Sequence, residues 1–161
     1  MTYLQDYKEA TLLNIIRPQT APKGKTFDVW ITASSPKWQR LAVVQLTRYL
    51  CLETKYRQDL NEDAASWKNN NTAVFAITGD VLCRYGQERQ ALVGMMTFHQ
   101  FHHNPVLYHC YIHPFFRSKG LMKDAWKMAC IRYPAFEIES PLSPAMEGFL
   151  AKVDISQVLT T

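Results

Sequence analysis

The chain has 161 residues, of which 47% are hydrophobic and 20% are charged, and its net charge is +4. This length fits one domain with a sizeable core, and the composition is that of a globular protein rather than a disordered one. The sequence has no apolar run near the roughly 18 residues that a membrane helix needs, and its four dispersed cysteines, without a CxxC pair, argue against a zinc knuckle or a disulfide framework.

The first ten residues include Asp6, Lys8 and Glu9 and lack the apolar core of a signal peptide. We therefore expect a cytoplasmic protein with no membrane partner. The mildly positive net charge favours anionic partners such as phosphates, nucleotides or nucleic acid.

The first part of the chain is expected to hold one strand and one long helix. Residues 1–25 are the least readable segment, where a short helix over Tyr3 to Ile16 fits the pattern. Thr26 to Thr32 alternates and is rich in β-formers, which predicts a strand. Ser35–Pro36 then forms a helix start, and apolar residues recur at helical spacing toward Tyr56.

Three turn-linked strands are predicted in the middle of the chain. Thr72 to Thr78 reads as a strand that breaks near Gly79–Asp80. Ala91 to Phe101 and Val106 to Ile112 are two further apolar strands, joined by His102–Pro105. This succession predicts an antiparallel meander.

The last part of the chain returns to helical spacing. Leu121 to Arg132 fits a helix that Pro134 ends, Ala135 to Ser140 fits a short strand, and Ser143 to Val153 fits another helix. The predicted fold class is α/β with a mixed α+β sheet, in a single domain over residues 1–161.

The segment YIHPFFRSKGLM, Tyr111 to Met122, joins the third central strand to the next helix. A helix N-terminus leaves about four backbone N–H groups without partners and carries partial positive charge, so it can bind phosphate oxygens. Gly120 and Ser118 are small enough to let a ligand approach, while Arg117 suits either a phosphate contact or an ion pair. From these residues alone, an ordinary strand-to-helix turn remains the alternative.

The wider order of elements resembles the GNAT superfamily of acyl-CoA-dependent N-acetyltransferases. The shared order is an apolar strand, His-Pro, an aromatic residue, Arg-Ser-Lys-Gly-Leu, a helix, a strand and a helix. The match covers roughly residues 26–155 and is most specific at Pro114, Phe116, Arg117, Gly120 and Leu121. It implies a central, mostly antiparallel sheet with splayed strands, flanked by helices, and acetyl-CoA as a co-substrate.

In that family the corresponding turn binds the CoA diphosphate, and the preceding strand pairs with the pantetheine arm. The resemblance implies that the cofactor contacts Tyr111, Ile112, Arg117, Ser118, Lys119, Gly120, Leu121 and Met122. Three positions depart from the family pattern. Ser118 replaces a usual glycine, Met122 stands where Gly or Ala is common, and Leu150 stands where many members carry a general-acid tyrosine.

All five histidines lie between His99 and His113, on the two strands and the turn that would border an acyl site. Because histidine titrates near neutral pH, His99 or His109 is a candidate general base. Two strand histidines and a turn histidine could also meet at a metal ion, but no spacing matches an established zinc motif, so no metal site is assigned. His113, before Pro114, is interpreted as structural.

Two other residue types are candidates for proton transfer. Glu137 and Glu139 alternate on the short strand after the cofactor helix, and Glu139 is the preferred carboxylate for binding or deprotonating an amine. Tyr108, with Tyr111 as an alternative, could replace the missing tyrosine as a proton donor.

The function that this resemblance implies is direct transfer of an acetyl group from acetyl-CoA to an amine. The acceptor could be a small molecule, a protein amine or a nucleic-acid base. Phage-type acylation of a base stays open because the first helix is basic and tryptophans can stack on bases; those tryptophans are Trp30, Trp38 and Trp67. A non-catalytic CoA-binding module is the second alternative.

Overall fold

A computed structural model describes residues 17–54, 71–83, 86–101 and 103–159. Its sheet has five strands in the order β1-β2-β3-β4-β5, so each strand lies beside the next one along the chain. The strands are β1 (Trp30–Ile31), β2 (Thr72–Leu82), β3 (Glu88–Phe101), β4 (Asn104–Ile112) and β5 (Glu137–Ile138). The first three pairings are antiparallel, and β4 pairs with β5 in parallel. The predicted meander and the α+β class are therefore confirmed.

Helices cover both faces of this sheet. They are α1 (Lys37–Thr54), α2 (Leu121–Arg132) and α3 (Pro144–Leu150). The predicted start of α1 after Pro36 and the end of α2 before Pro134 are confirmed, while α3 is shorter than predicted. The Ser143 side-chain oxygen accepts a hydrogen bond from the Met146 amide (3.1 Å) and caps α3. The expected helix over Tyr3 to Ile16 and the residues beyond Thr54 lie outside the described residues.

Side chains that alternate along the strands build two apolar layers. On one face, Leu46 of α1 packs with Val74, Met95 and Tyr111. On the opposite face, α2 and α3 cover a second cluster, whose fully buried members include Val93, Phe98, Ala129 and Phe136. Burial on both faces explains why β2, β3 and β4 read as nearly continuous apolar runs.

Two predicted boundaries were wrong. The predicted break at Gly79–Asp80 does not exist, because β2 continues to Leu82 and only shifts register between Ile77 and Thr78. A Cβ on Gly79 would lie 3.3 Å from the Phe116 ring, so this glycine allows close packing and does not form a turn. The first predicted strand is also shorter, since only Trp30–Ile31 pair with β2.

Within the described parts of the chain, no helix combines the length and the apolar character needed to cross a membrane.

Candidate functional site

The turn between β4 and α2 is shaped by local backbone geometry. The His113 side chain, which is almost fully buried, accepts a hydrogen bond from the Phe115 amide (3.3 Å) and starts a single 3₁₀ turn, Pro114–Phe116. Ser118 (φ 62°) and Gly120 (φ 76°) then adopt the left-handed conformation. This sharp turn brings the chain directly into α2, and His113 has the structural role that was predicted for it.

Helix α2 opens with backbone amides directed toward the turn. Gly120 is its N-cap and has no side chain to bond these amides. The first bond within the helix runs from the Asp124 amide to the Gly120 carbonyl (3.1 Å). The amides of Leu121, Met122 and Lys123 come before it, and groups in these positions are the donors available to an anion.

A groove of about 780 Å³ runs along this turn, between the end of β4, the end of α1 and helix α3. Seven of the eight predicted cofactor residues line it: Tyr111, Ile112, Arg117, Ser118, Gly120, Leu121 and Met122. Lys119 does not, and its ammonium lies 5.2 Å from the centre of the Phe116 ring. The opposite wall comes from Ser143 to Phe149, which puts the predicted final helix over the groove.

Arg117 is held in an ion pair at one wall of the groove. Its guanidinium donates two hydrogen bonds to the Glu53 carboxylate (2.6 and 2.7 Å), and its Nε donates to the Ile112 carbonyl (2.9 Å). The Tyr111 hydroxyl donates to the same carboxylate (2.6 Å). Of the two predicted roles of Arg117, the structure therefore shows the ion pair.

The pKa values of this pair reflect the contact. Burial raises the pKa of Glu53, but the hydrogen bonds from Arg117 and Tyr111 and the nearby positive charges together outweigh burial, so the pKa lies below its ordinary value. The hydrogen bond to Glu53 raises the pKa of Arg117. Both side chains are therefore charged at neutral pH.

One edge of β4 faces the gap toward β5. The two strands pair only at Val106 and Leu107, with one further bond from the Glu139 amide to the Leu107 carbonyl (3.0 Å). The His113 amide bonds the Val93 carbonyl of β3 (2.8 Å), so the backbone groups of Ile112, one residue earlier, face the edge toward β5. Since backbone groups alternate along a strand, Cys110 presents its amide and carbonyl to the same edge.

A second cavity, of about 240 Å³, lies where β4 and β5 separate. Three of the four predicted catalytic residues line it, namely Tyr108, His109 and Glu139. It shares five lining residues with the groove: Leu50, Thr54, Cys110, Ser143 and Met146. The groove and the cavity therefore adjoin along β4.

Glu139 and Tyr108 both line this cavity, and the tyrosine hydroxyl is near enough to lower the pKa of the carboxyl group. Burial raises the pKa of Glu139, and the hydrogen bond from Tyr108 only partly opposes that shift. Glu137 lies elsewhere, since its carboxylate accepts from the Asn104 amide group (3.2 Å). A carboxyl group with a raised pKa in a largely apolar cavity has the properties of a general base.

The two strand histidines are poorly suited to act as bases. Burial, with a smaller contribution from His99, lowers the pKa of His109 to about 3. Both ring nitrogens of His109 are buried without a hydrogen-bond partner. His99 contacts the Tyr108 ring edge-on (4.6 Å between centroids), its Nδ1 bonds the Thr72 hydroxyl (2.9 Å), and burial lowers its pKa. Each imidazole is therefore a weaker proton acceptor than a free histidine.

The histidine cluster does not form a metal site in the described part of the chain. No three His, Cys, Asp or Glu side chains come close enough together there to hold an ion. Of the two turn histidines, His102 lies outside the described residues, and His103 is exposed at the turn between β3 and β4.

Two of the tryptophans considered for base stacking lie in packed surroundings. Trp30 contacts the rings of Phe75 and Tyr133, and Trp38 contacts Phe27 (4.8 Å between ring centroids). Trp67 lies outside the described residues. The described tryptophans therefore have the core role that aromatic residues usually take.

Glu53 is the residue of the candidate site that sequence reasoning missed. It is 64 residues from Arg117 in the chain, so neither periodicity nor a local motif connects the two. One signal was present, because Glu53 is the only acidic residue between Lys37 and Arg57, a stretch with five basic residues.

No family model matches this chain, and no curated protein matches it either.

Proposed function

We propose that the protein is a GNAT-like N-acetyltransferase that transfers an acetyl group directly from acetyl-CoA to an amine. The supporting observation is that the groove beside the β4–α2 turn opens along one strand edge into a cavity that holds Glu139 and Tyr108. In an acetyltransferase, the two parts of the cofactor need this arrangement. The diphosphate needs a cluster of backbone amides, and the thioester must reach a site with a base.

The groove receives the cofactor in an extended form. The diphosphate binds the amides at the start of α2, next to Ser118 and Gly120. The pantetheine arm follows the β4 edge toward Cys110, as the family resemblance implies. The Cys110 amide on that edge can donate to the thioester carbonyl oxygen and stabilise the oxyanion that forms during attack.

Proton transfer uses the pair already present in the cavity. The neutral amine attacks the acetyl carbon, and Glu139 removes a proton from the resulting ammonium centre as the C–S bond breaks. The CoA thiolate takes the Tyr108 hydroxyl proton, and Glu139 returns its proton to Tyr108. The products are the amide and CoA thiol, with both side chains in their starting states.

Two residues favour direct transfer with Tyr108 as the proton donor. Leu150 stands at the position where the family carries a tyrosine, and it packs against the core cluster under α2. Because leucine has no acidic group, the proton donor must be another residue. Burial raises the pKa of the Cys110 thiol to about 12, which makes an acyl-enzyme at this cysteine unfavourable. Attack by the amine itself, with Tyr108 protonating the thiolate, fits both facts.

The test has two stages. Isothermal titration with CoA and acetyl-CoA should show one saturable site, and release of CoA thiol should then be measured with small amines, lysine peptides and single-stranded DNA as acceptors. Binding without turnover on any acceptor would favour the non-catalytic module. Absence of CoA binding at millimolar concentration would overturn the proposal.

A further inference from the structure

We infer that Glu53 is a positioning residue that holds the phosphate-binding turn in its binding conformation, and that Arg117 acts as its partner and does not bind the phosphate directly. This inference rests on the proposed function for the identity of the ligand. The juxtaposition that carries it is the Glu53 carboxylate with three donors, two from Arg117 and one from Tyr111.

The three residues come from three different elements that meet at the groove. Glu53 is on the last turn of α1, Tyr111 is near the end of β4, and Arg117 is in the turn that follows. Arg117 also bonds the Ile112 carbonyl, so its side chain spans from the turn back to the strand edge. The network therefore fixes the distance between the α1 wall and the turn wall of the groove.

The hydrogen-bond geometry opposes release of Arg117 to a ligand. The guanidinium uses three of its five N–H donors on Glu53 and Ile112, and the contact with the carboxylate is bidentate. Only 21% of the Glu53 side chain is exposed. If Arg117 moved to a phosphate, the partly buried Glu53 carboxylate would lose its cation, and it would also repel the incoming phosphate. Both effects are unfavourable.

The same network supports the strained part of the turn. Ser118 adopts a left-handed conformation directly after Arg117, which is unfavourable for a residue with a side chain. Such conformations persist where surrounding contacts hold them. Arg117, anchored at both Glu53 and Ile112, provides that hold on the N-terminal side of Ser118.

The test compares CoA affinity of Glu53→Gln with that of Asp124→Asn. Both changes remove one negative charge near the groove, but Asp124 is 76% exposed and makes only a 3.9 Å ion pair with Lys127. We expect Glu53→Gln to weaken CoA binding about tenfold with a much smaller change in kcat. Asp124→Asn should leave affinity unchanged or slightly improved, because removal of a surface carboxylate favours anion binding.

If Arg117 bound the phosphate directly, Glu53→Gln would change CoA affinity in the opposite direction. If Glu53 competed with phosphate for Arg117, then Glu53→Gln would tighten CoA binding, and that result would overturn the inference. Glu53→Gln combined with Arg117→Gln should be no weaker than Arg117→Gln alone, since both remove one network. Tyr111→Phe removes the hydrogen bond from the tyrosine hydroxyl to Glu53 and provides a milder variant if Glu53→Gln unfolds.

A measurement without ligand separates this inference from the proposed function. Hydrogen exchange of the Phe116 and Arg117 amides, which bond the His113 and Pro114 carbonyls, should be faster in Glu53→Gln than in wild type, and unchanged in Asp124→Asn. If wild type binds no CoA, the proposed function fails, and the exchange rates still decide whether Glu53 holds the turn. If CoA binds and Glu53→Gln changes neither affinity nor exchange, only the inference fails.

Discussion

The groove beside the β4–α2 turn and the cavity between β4 and β5 differ in how their polar groups are hydrogen-bonded. At the turn, Glu53, Arg117 and Tyr111 bond one another, and backbone amides at the start of α2 are further donors beside them. In the cavity, both nitrogens of His109 are buried without a partner. The hydroxyl of Thr97, which is paired with His109 across β3 and β4, is also buried without one.

This difference indicates which end is complete before a ligand binds. Buried polar groups are normally hydrogen-bonded, and exceptions cluster where a ligand or an ordered water completes the site. Under the proposed function, the polar side chains at the turn are already paired for cofactor binding, whereas the His109 ring and the Thr97 hydroxyl are not paired. Changes at the turn should affect cofactor affinity, and changes in the cavity should affect turnover or pH dependence.

Glu139→Gln is expected to show the largest difference between the effect on turnover and the effect on CoA affinity. Loss of the general base should reduce kcat by about 100-fold or more, with CoA affinity nearly unchanged. Because burial raises the pKa of Glu139, the wild-type rate should rise with pH as this group loses its proton, and the variant should lack that rise. Initial rates of thiol release across pH measure both effects.

Glu137→Gln is the matched control, because Glu137 bonds Asn104 and lies outside the cavity lining. Its kcat should stay within a few-fold of wild type. Equal losses in the two variants would show that the cavity does not hold the base.

In the groove beside the β4–α2 turn, Gly120→Ala should weaken CoA binding about tenfold while changing kcat little. A Cβ on Gly120 would meet no atom within 4 Å, so alanine causes no steric clash. It favours a turn without the left-handed backbone, and CoA binding must then restore that backbone. That strain is worth roughly 1–2 kcal/mol. Calorimetric titration with CoA gives the affinity.

Gly148→Ala is the control for this change. Gly148 lines the same groove and a Cβ there is equally unobstructed, but it lies within α3. Alanine should stabilise that helix by roughly 0.5–1 kcal/mol and leave CoA affinity intact. A comparable loss of affinity in both variants would mean that any added methyl group blocks the groove.

A stability measurement addresses the unpaired groups of the cavity. Burial lowers the pKa of His109 to about 3 in the folded protein, from about 6.5 for the unfolded chain. Protons therefore favour the unfolded state as pH falls through that window, and wild type should lose about 1.4 kcal/mol of unfolding free energy per pH unit through this residue. His109→Leu should remove that loss and be neutral or stabilising at pH 7.

Chemical denaturation at pH 5.5 and pH 4.5, both between the two pKa values, measures this slope. His103→Leu, at the exposed turn, removes a histidine from the surface and should leave the slope as in wild type. If His109→Leu has the same slope as wild type, the pKa of His109 is not lowered by folding, and the imidazole has a hydrogen-bond partner in solution.

Periodicity predicted most of the fold, because the signals were local. The β-rich runs of β2, β3 and β4, the Ser35–Pro36 helix start and the stop before Pro134 are each specified within a few residues. The error at Gly79 arose because a glycine reads as a break in sequence, while its actual contact, the Phe116 ring, is 37 positions away. No local pattern contains that contact.

In the candidate site too, features set by consecutive residues could be predicted from the sequence, and features set by distant contacts could not. The turn from Arg117 to Met122 could be found because its residues are consecutive, and the structure brings seven of the eight predicted cofactor residues to one groove. Glu53 could not be paired with Arg117 by spacing. The weak basicity of His109 depends on burial, which follows from tertiary packing and not from residue type.

The smallest effect concerns strain within the preformed turn. Ser118 adopts φ 62°, a conformation that glycine accepts at little cost, so Ser118→Gly should raise the unfolding free energy by about 0.5–1 kcal/mol. Ser118→Ala keeps the strain and removes only the hydroxyl, so it separates the two contributions in thermal denaturation. If alanine destabilises and glycine fails to stabilise, the hydroxyl bonds the turn and offsets the strain locally. If only glycine stabilises, the cofactor end carries backbone strain that Glu53 and Arg117 hold in place, as the paired network implies.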